Sequence, residues 1–64
     1  MNKQRIINFY KKYFTEVKEE LLNDEELILV PDENFPDEDN EVIEYLDAEN
    51  MIFSNKEILE MIDS

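Results

Sequence analysis

Residues 41–47, Glu41-Val42-Ile43-Glu44-Tyr45-Leu46-Asp47, decide the fold class, because the segment reads two ways. As a strand, Val42, Glu44 and Leu46 alternate against Ile43, Tyr45 and Asp47, with apolar residues on both faces. As a helix capped by Asp39 or Asn40, it brings Val42, Leu46 and Glu49 into line. Periodicity alone does not resolve an apolar segment this short. Its surroundings favour strand: Asp47-Ala48-Glu49-Asn50 suits a turn, and Met51-Ile52-Phe53 is a second β-prone run able to return antiparallel. Upstream, Leu27-Ile28-Leu29-Val30 is a short apolar run closed by Pro31, which fits a buried strand. These runs predict a small antiparallel sheet of about three strands.

Outward from the sheet, both ends of the chain read as helix. Residues 1–22 predict one amphipathic helix capped by Asn2, with Ile6, Tyr10, Tyr13, Phe14, Val17 and Leu21 at spacings of three and four and Ile7 and Leu22 widening the stripe. Asn23 and Asp24 end it. Glycine is absent, so turns that need positive φ fall on Asn or Asp, and Asn23, Asn34, Asn40, Asn50 and Asn55 each stand near a predicted boundary. Ser54-Asn55-Lys56-Glu57 matches a capping box and opens a final helix to about Asp63, with Ile58, Leu59, Met61 and Ile62 inward. Residues 31–40, with two prolines and five acids, read as a loop or edge excursion. The expected order is α-β-β-β-α in a single α+β domain over residues 1–64; the alternative is all-α with three short helices.

At 64 residues a chain buries only about 60% of the surface its unfolded form exposes. Small scaffolds offset this with disulfides, metals or oligomerisation. Neither Cys nor His is present, which leaves docking onto a partner or homodimerisation. The net charge is −12, beyond the magnitude of about 2–8 suited to a small soluble domain. Self-repulsion at that charge opposes compactness. The imbalance is also polar along the chain: five cations against Glu16 give residues 1–18 a charge of +4, and seventeen acids against Lys56 give the remainder −16. The basic helix therefore reads as counter-ion for the acidic half.

The catalytic inventory is thin. General acid–base work at neutral pH most often uses His, nucleophilic catalysis needs a nucleophile beside a base, and phosphate cradles need Gly. Ser54 is accounted for as a cap, and no enzyme, cofactor or metal is expected. Asp37-Glu38-Asp39-Asn40-Glu41 opens like an EF-hand loop, but Val42 stands where the sharp turn needs Gly and Ala48 occupies the twelfth position. No signal peptide or apolar span of about 18 residues is read, and the expected compartment is the cytoplasm.

Asp32 to Glu49 holds nine carboxylates in eighteen residues and no cation. Such a surface repels nucleic acid and anionic membrane and attracts a basic protein. Carboxylates two apart on a strand stand about 6.6 Å apart, and four apart on a helix about 6 Å, comparable to duplex phosphates at about 3.4 Å of rise along a longer backbone path. The candidate partner contacts are Asp32, Glu33, Asp37, Glu38, Asp39, Glu41, Glu44, Asp47 and Glu49, with Phe35 and Tyr45, together with Val42, Ile43 and Leu46, as interleaved apolar anchors. Residues 25–33, EELILVPDE, resemble the acidic strand of the phage uracil-DNA glycosylase inhibitors over those nine positions, with Glu26 where that family has a small polar residue. The resemblance implies a DNA mimic whose acidic edge strand enters a DNA groove.

The expectation is a stoichiometric acidic inhibitor, of phage or mobile-element origin and serving host-defence evasion, that mimics DNA charge and blocks the groove of a nucleic-acid-binding enzyme. The alternative is an antitoxin, immunity or adaptor protein that neutralises a basic partner without mimicry. A largely disordered acidic peptide is disfavoured by the 42% hydrophobic content and the first helix.

Overall fold

A computed structural model describes residues 1–64, and it is all helical. The helices are α1 (Lys3–Phe14), α2 (Lys18–Leu22), α3 (Asp37–Ala48) and α4 (Asn55–Ile62). α1 packs against α3 and α4, and α2 packs against α4. One core joins all four, built from Ile6, Phe9, Tyr10 and Phe14 of α1, Leu21 of α2, Val42, Ile43 and Leu46 of α3 and Ile58 of α4. The expected three-stranded sheet is absent and the all-α alternative holds, with four helices in place of three.

The correction at residues 41–47 has a clear cause. A strand places Val42 and Ile43 on opposite faces, yet both are buried, and a chain of this size has one core to bury them in. A helix beginning at Asp37 sets Asp39, Val42, Ile43 and Leu46 at i, i+3, i+4 and i+7 on one face. Pro36 precedes the first turn with extended angles, and Asp37, Glu38 and Asp39 occupy that turn, where the helix dipole favours negative charge. The supposed loop through Asn40 therefore supplies the start of α3.

The single N-terminal helix is also corrected. Asn2 caps α1 as expected, its side chain accepting from the Arg5 N–H at 3.0 Å, but the helix stops at Phe14. The Thr15 hydroxyl donates to the Lys11 carbonyl one turn back, a contact that bends helices. The Val17 N–H then bonds Phe14 at 3.3 Å, three residues back rather than four. The chain turns there, α2 settles on α4, and Leu21 becomes the most buried side chain, 1% exposed. Leu22, expected in the apolar stripe, faces solvent, whereas Phe9 joins the core.

Two helices close with the same device in the absence of glycine. After α2, Asp24 takes φ 65°; its N–H bonds Leu21 at 3.1 Å and that of Glu25 bonds Glu20 at 3.0 Å. After α3, Asn50 takes φ 54°, with the N–H groups of Asn50 and Met51 on Asp47 and Leu46 at 3.1 and 2.9 Å. Both are Schellman motifs. α4 opens with the predicted capping box: Glu57 N–H donates to Ser54 Oγ at 3.2 Å, and Ser54 N–H to Glu57 Oε1 at 3.0 Å. The Ser54 N–H bonded to the carboxylate, with the Ser54 hydroxyl beside it, holds the Glu57 carboxyl below the ordinary Glu value.

Candidate partner-binding surface

The predicted row of carboxylates divides once folded. Asp39 turns inward between α1 and α3, its side chain 13% exposed. It accepts from Lys12 Nζ at 2.8 Å and from the Tyr13 hydroxyl. Burial pushes its carboxyl up, and the two hydrogen bonds outweigh burial, leaving it below the ordinary Asp value. Each donor is raised in turn by its own hydrogen bond to Asp39. Asp39 is thus a strut, not a free contact. Glu41 meets Arg5 at 3.5 Å, Lys18 meets Asp63 at 3.0 Å, and Lys11 donates to the Ser64 carbonyl oxygen at 2.6 Å. Cations of α1 and α2 face acids of the C-terminal half, as a counter-ion role requires.

The apolar anchors are corrected as well. Val42, Ile43 and Leu46 are core residues and cannot reach a partner. Phe35 is half-buried with its ring centroid 5.2 Å from that of Tyr13, and Tyr45 packs half-buried on the core. The remaining acids stay exposed: Asp32 and Glu33 in the turn before α3, Glu38 in the first turn, Asp37 and Glu44 with Glu41 along its outer face, Asp47 at its flank and Glu49 at its C-cap.

A feature absent from the sequence reading lies beside this acidic helix. Residues 25–32 belong to no helix or strand, nor do residues 51–53. Together with the second half of α3 they wall a groove of about 460 Å³ whose lining includes the core aromatics Phe9, Tyr10 and Phe14. Glu26 on one side and Glu44 and Asp47 on the other are its charged rim. Four of its large apolar residues face solvent: Ile28 is 74% exposed, Val30 64%, Ile52 83% and Met51 37%. The signal for these positions was present as apolar runs in an acidic context, and it was absorbed by the strand expectation.

No protein-family model, curated protein or solved structure matches the chain. The likeness of residues 25–33 to an acidic edge strand does not extend to a sheet, since the segment has no neighbouring strand. No grouping of three or more Asp or Glu side chains forms a metal-ligand set. No helix is long and apolar enough to cross a membrane.

Proposed function

We propose that this chain is a stoichiometric, non-enzymatic binding protein of antitoxin, immunity or adaptor type that covers the cationic surface of a basic cytoplasmic protein. The groove carries this reading: solvent-facing Ile28, Val30 and Ile52 lie beside Glu26, Glu44 and Asp47. Large apolar side chains exposed together mark interaction sites, and carboxylates around them select a partner with Lys or Arg around an apolar centre. A DNA backbone has no equivalent of that apolar patch. Charge steers the encounter and apolar contact holds the complex.

The test is partner capture from a nuclease-treated bacterial lysate on the immobilised chain, eluted separately with salt and with duplex DNA. The expected partner yields to salt and resists DNA, and it is lost when Glu26, Glu44 and Asp47 are all changed to Lys while helical circular dichroism persists. Undiminished capture by that folded variant refutes the reading.

DNA mimicry is the second reading, and one observation favours it. Asp37, Glu41 and Glu44 follow one another along the outward side of α3 at axial steps of about 6 and 4.5 Å, a spacing close to that of phosphates. It predicts a nucleic-acid-binding enzyme, released by duplex DNA in the same experiment. A phage or mobile-element origin belongs to this second reading.

A further inference from the structure

We propose that residues 26–31 form an open strand edge that binds an extended segment of the basic partner through main-chain hydrogen bonds, the segment having an apolar centre and Lys or Arg at both ends. This rests on the reading of the chain as a binder of a basic protein, and adds where and in what conformation that protein is held.

The burial pattern and the unpaired backbone are those of a strand lacking its neighbour. Burial alternates along the segment: Leu27 and Leu29 are half-buried against the core, and Ile28 and Val30 face outward. This is the period of two that a sheet surface shows. No backbone N–H or C=O between Glu26 and Pro31 makes a hydrogen bond within the chain. Such a row of unpaired groups is a template for an added strand. A helical occupant has its own backbone groups paired internally and leaves this row without partners.

The segment is also fixed at both ends. Asn55 Nδ2 donates to the Glu25 carbonyl at 2.8 Å and to that of Leu21 at 3.3 Å. At the far end Asn40 grips the Asp32 backbone twice, accepting from its N–H at 3.0 Å and donating to its carbonyl at 2.8 Å. The open edge is therefore tethered at both ends before any partner arrives, which lowers the ordering cost of binding.

Charge identifies the occupant. Asp24, Glu25 and Glu26 precede the apolar tetrad and Asp32 and Glu33 follow it. A second copy pairing antiparallel with its own residues 26–31 sets Glu25 against Asp32 and Asp24 against Glu33 at both ends, between two molecules of charge −12. Like charges directly opposite are destabilising, so self-pairing is disfavoured. A strand with cations at both ends meets acids at both. Pro31 has no N–H and limits the ladder at its C-terminal end.

The experiment uses the full chain, isotope-labelled for amide NMR, and a nine-residue probe peptide of alternating valine and threonine flanked by two lysines at each end. The expected result is saturable binding with shifts at the amides of residues 26–30 and new exchange protection there. N-methylation of alternate probe residues on one edge weakens binding by about tenfold or more, as loss of two backbone donors demands, while N-methylation on the other edge does not. A probe with glutamate in place of lysine does not bind. Equal binding by the parent probe and both N-methylated forms overturns strand pairing, as does absence of binding by the lysine-flanked probe or shifts confined to α3. Those results leave the broader function standing if the Glu26, Glu44 and Asp47 reversal still abolishes capture of the basic partner, so the two failures are told apart.

Discussion

Replacing Asp39 by alanine tests whether an acid from the centre of the charged run is a structural strut. The side chain is mostly buried and accepts from Tyr13 and Lys12. A hydrogen bond to a charged group contributes about 1.5–3 kcal/mol net. The exposed Lys12 partner adds little, as surface pairs do, and removal of one negative charge relieves some self-repulsion. A net loss of about 2 kcal/mol is therefore expected, which for a chain of this length lowers Tm by about 8–16 °C. Glu38→Ala is the control: it removes the same charge from the same helical turn, and Glu38 is exposed with no side-chain hydrogen bond. Its effect should stay within about 0.5 kcal/mol. Asp39→Asn, which keeps an acceptor for Tyr13, should fall between them. Thermal melts followed by far-UV circular dichroism measure all three, and equal Tm values for Asp39→Ala and Glu38→Ala refute the strut.

Leu21→Ala, at the most buried position, should cost about 3 kcal/mol out of a total of about 3–10 kcal/mol for a domain this size; urea denaturation checks this, and an unchanged midpoint contradicts the placement of α2. Asn50→Gly should stabilise by about 0.5 kcal/mol because it relieves a side chain held at positive φ without disturbing the Schellman bonds; a lower Tm rules that out. Asp39 and Glu57 both sit below their ordinary values, so their contributions are complete above the unfolded carboxylate range of about pH 4 and are lost as pH falls through the folded values. Tm should therefore drop below about pH 4, and a Tm that holds steady to lower pH contradicts these bonds.

Signals that act within one turn of chain were legible. Asn2 and the Ser54–Glu57 box cap helices where their side chains predict, because a cap needs only neighbouring backbone. Asn50 takes the left-handed position after α3, although Asp24, not Asn23, takes the one after α2. The break after Phe14 was hidden because the apolar spacing runs on smoothly through Val17 and Leu21. Its cause is a hydroxyl at Thr15 competing for a carbonyl, which the hydrophobic pattern does not record. Asp39 was hidden differently. An acid on an inner face reads as solvent-facing until Lys12 and Tyr13 are known to stand opposite it.

The charge of the surface, the absence of His and Cys and the two terminal helical regions were determined by sequence alone, since composition and local capping do not depend on distant partners. Tertiary structure decided the rest. Val42 and Ile43 are compatible with either period until a single core demands both on one side, and then only a helix serves. Leu27–Val30 and Met51–Phe53 form no sheet, because a ladder needs a second strand alongside and the fold supplies none beside either run.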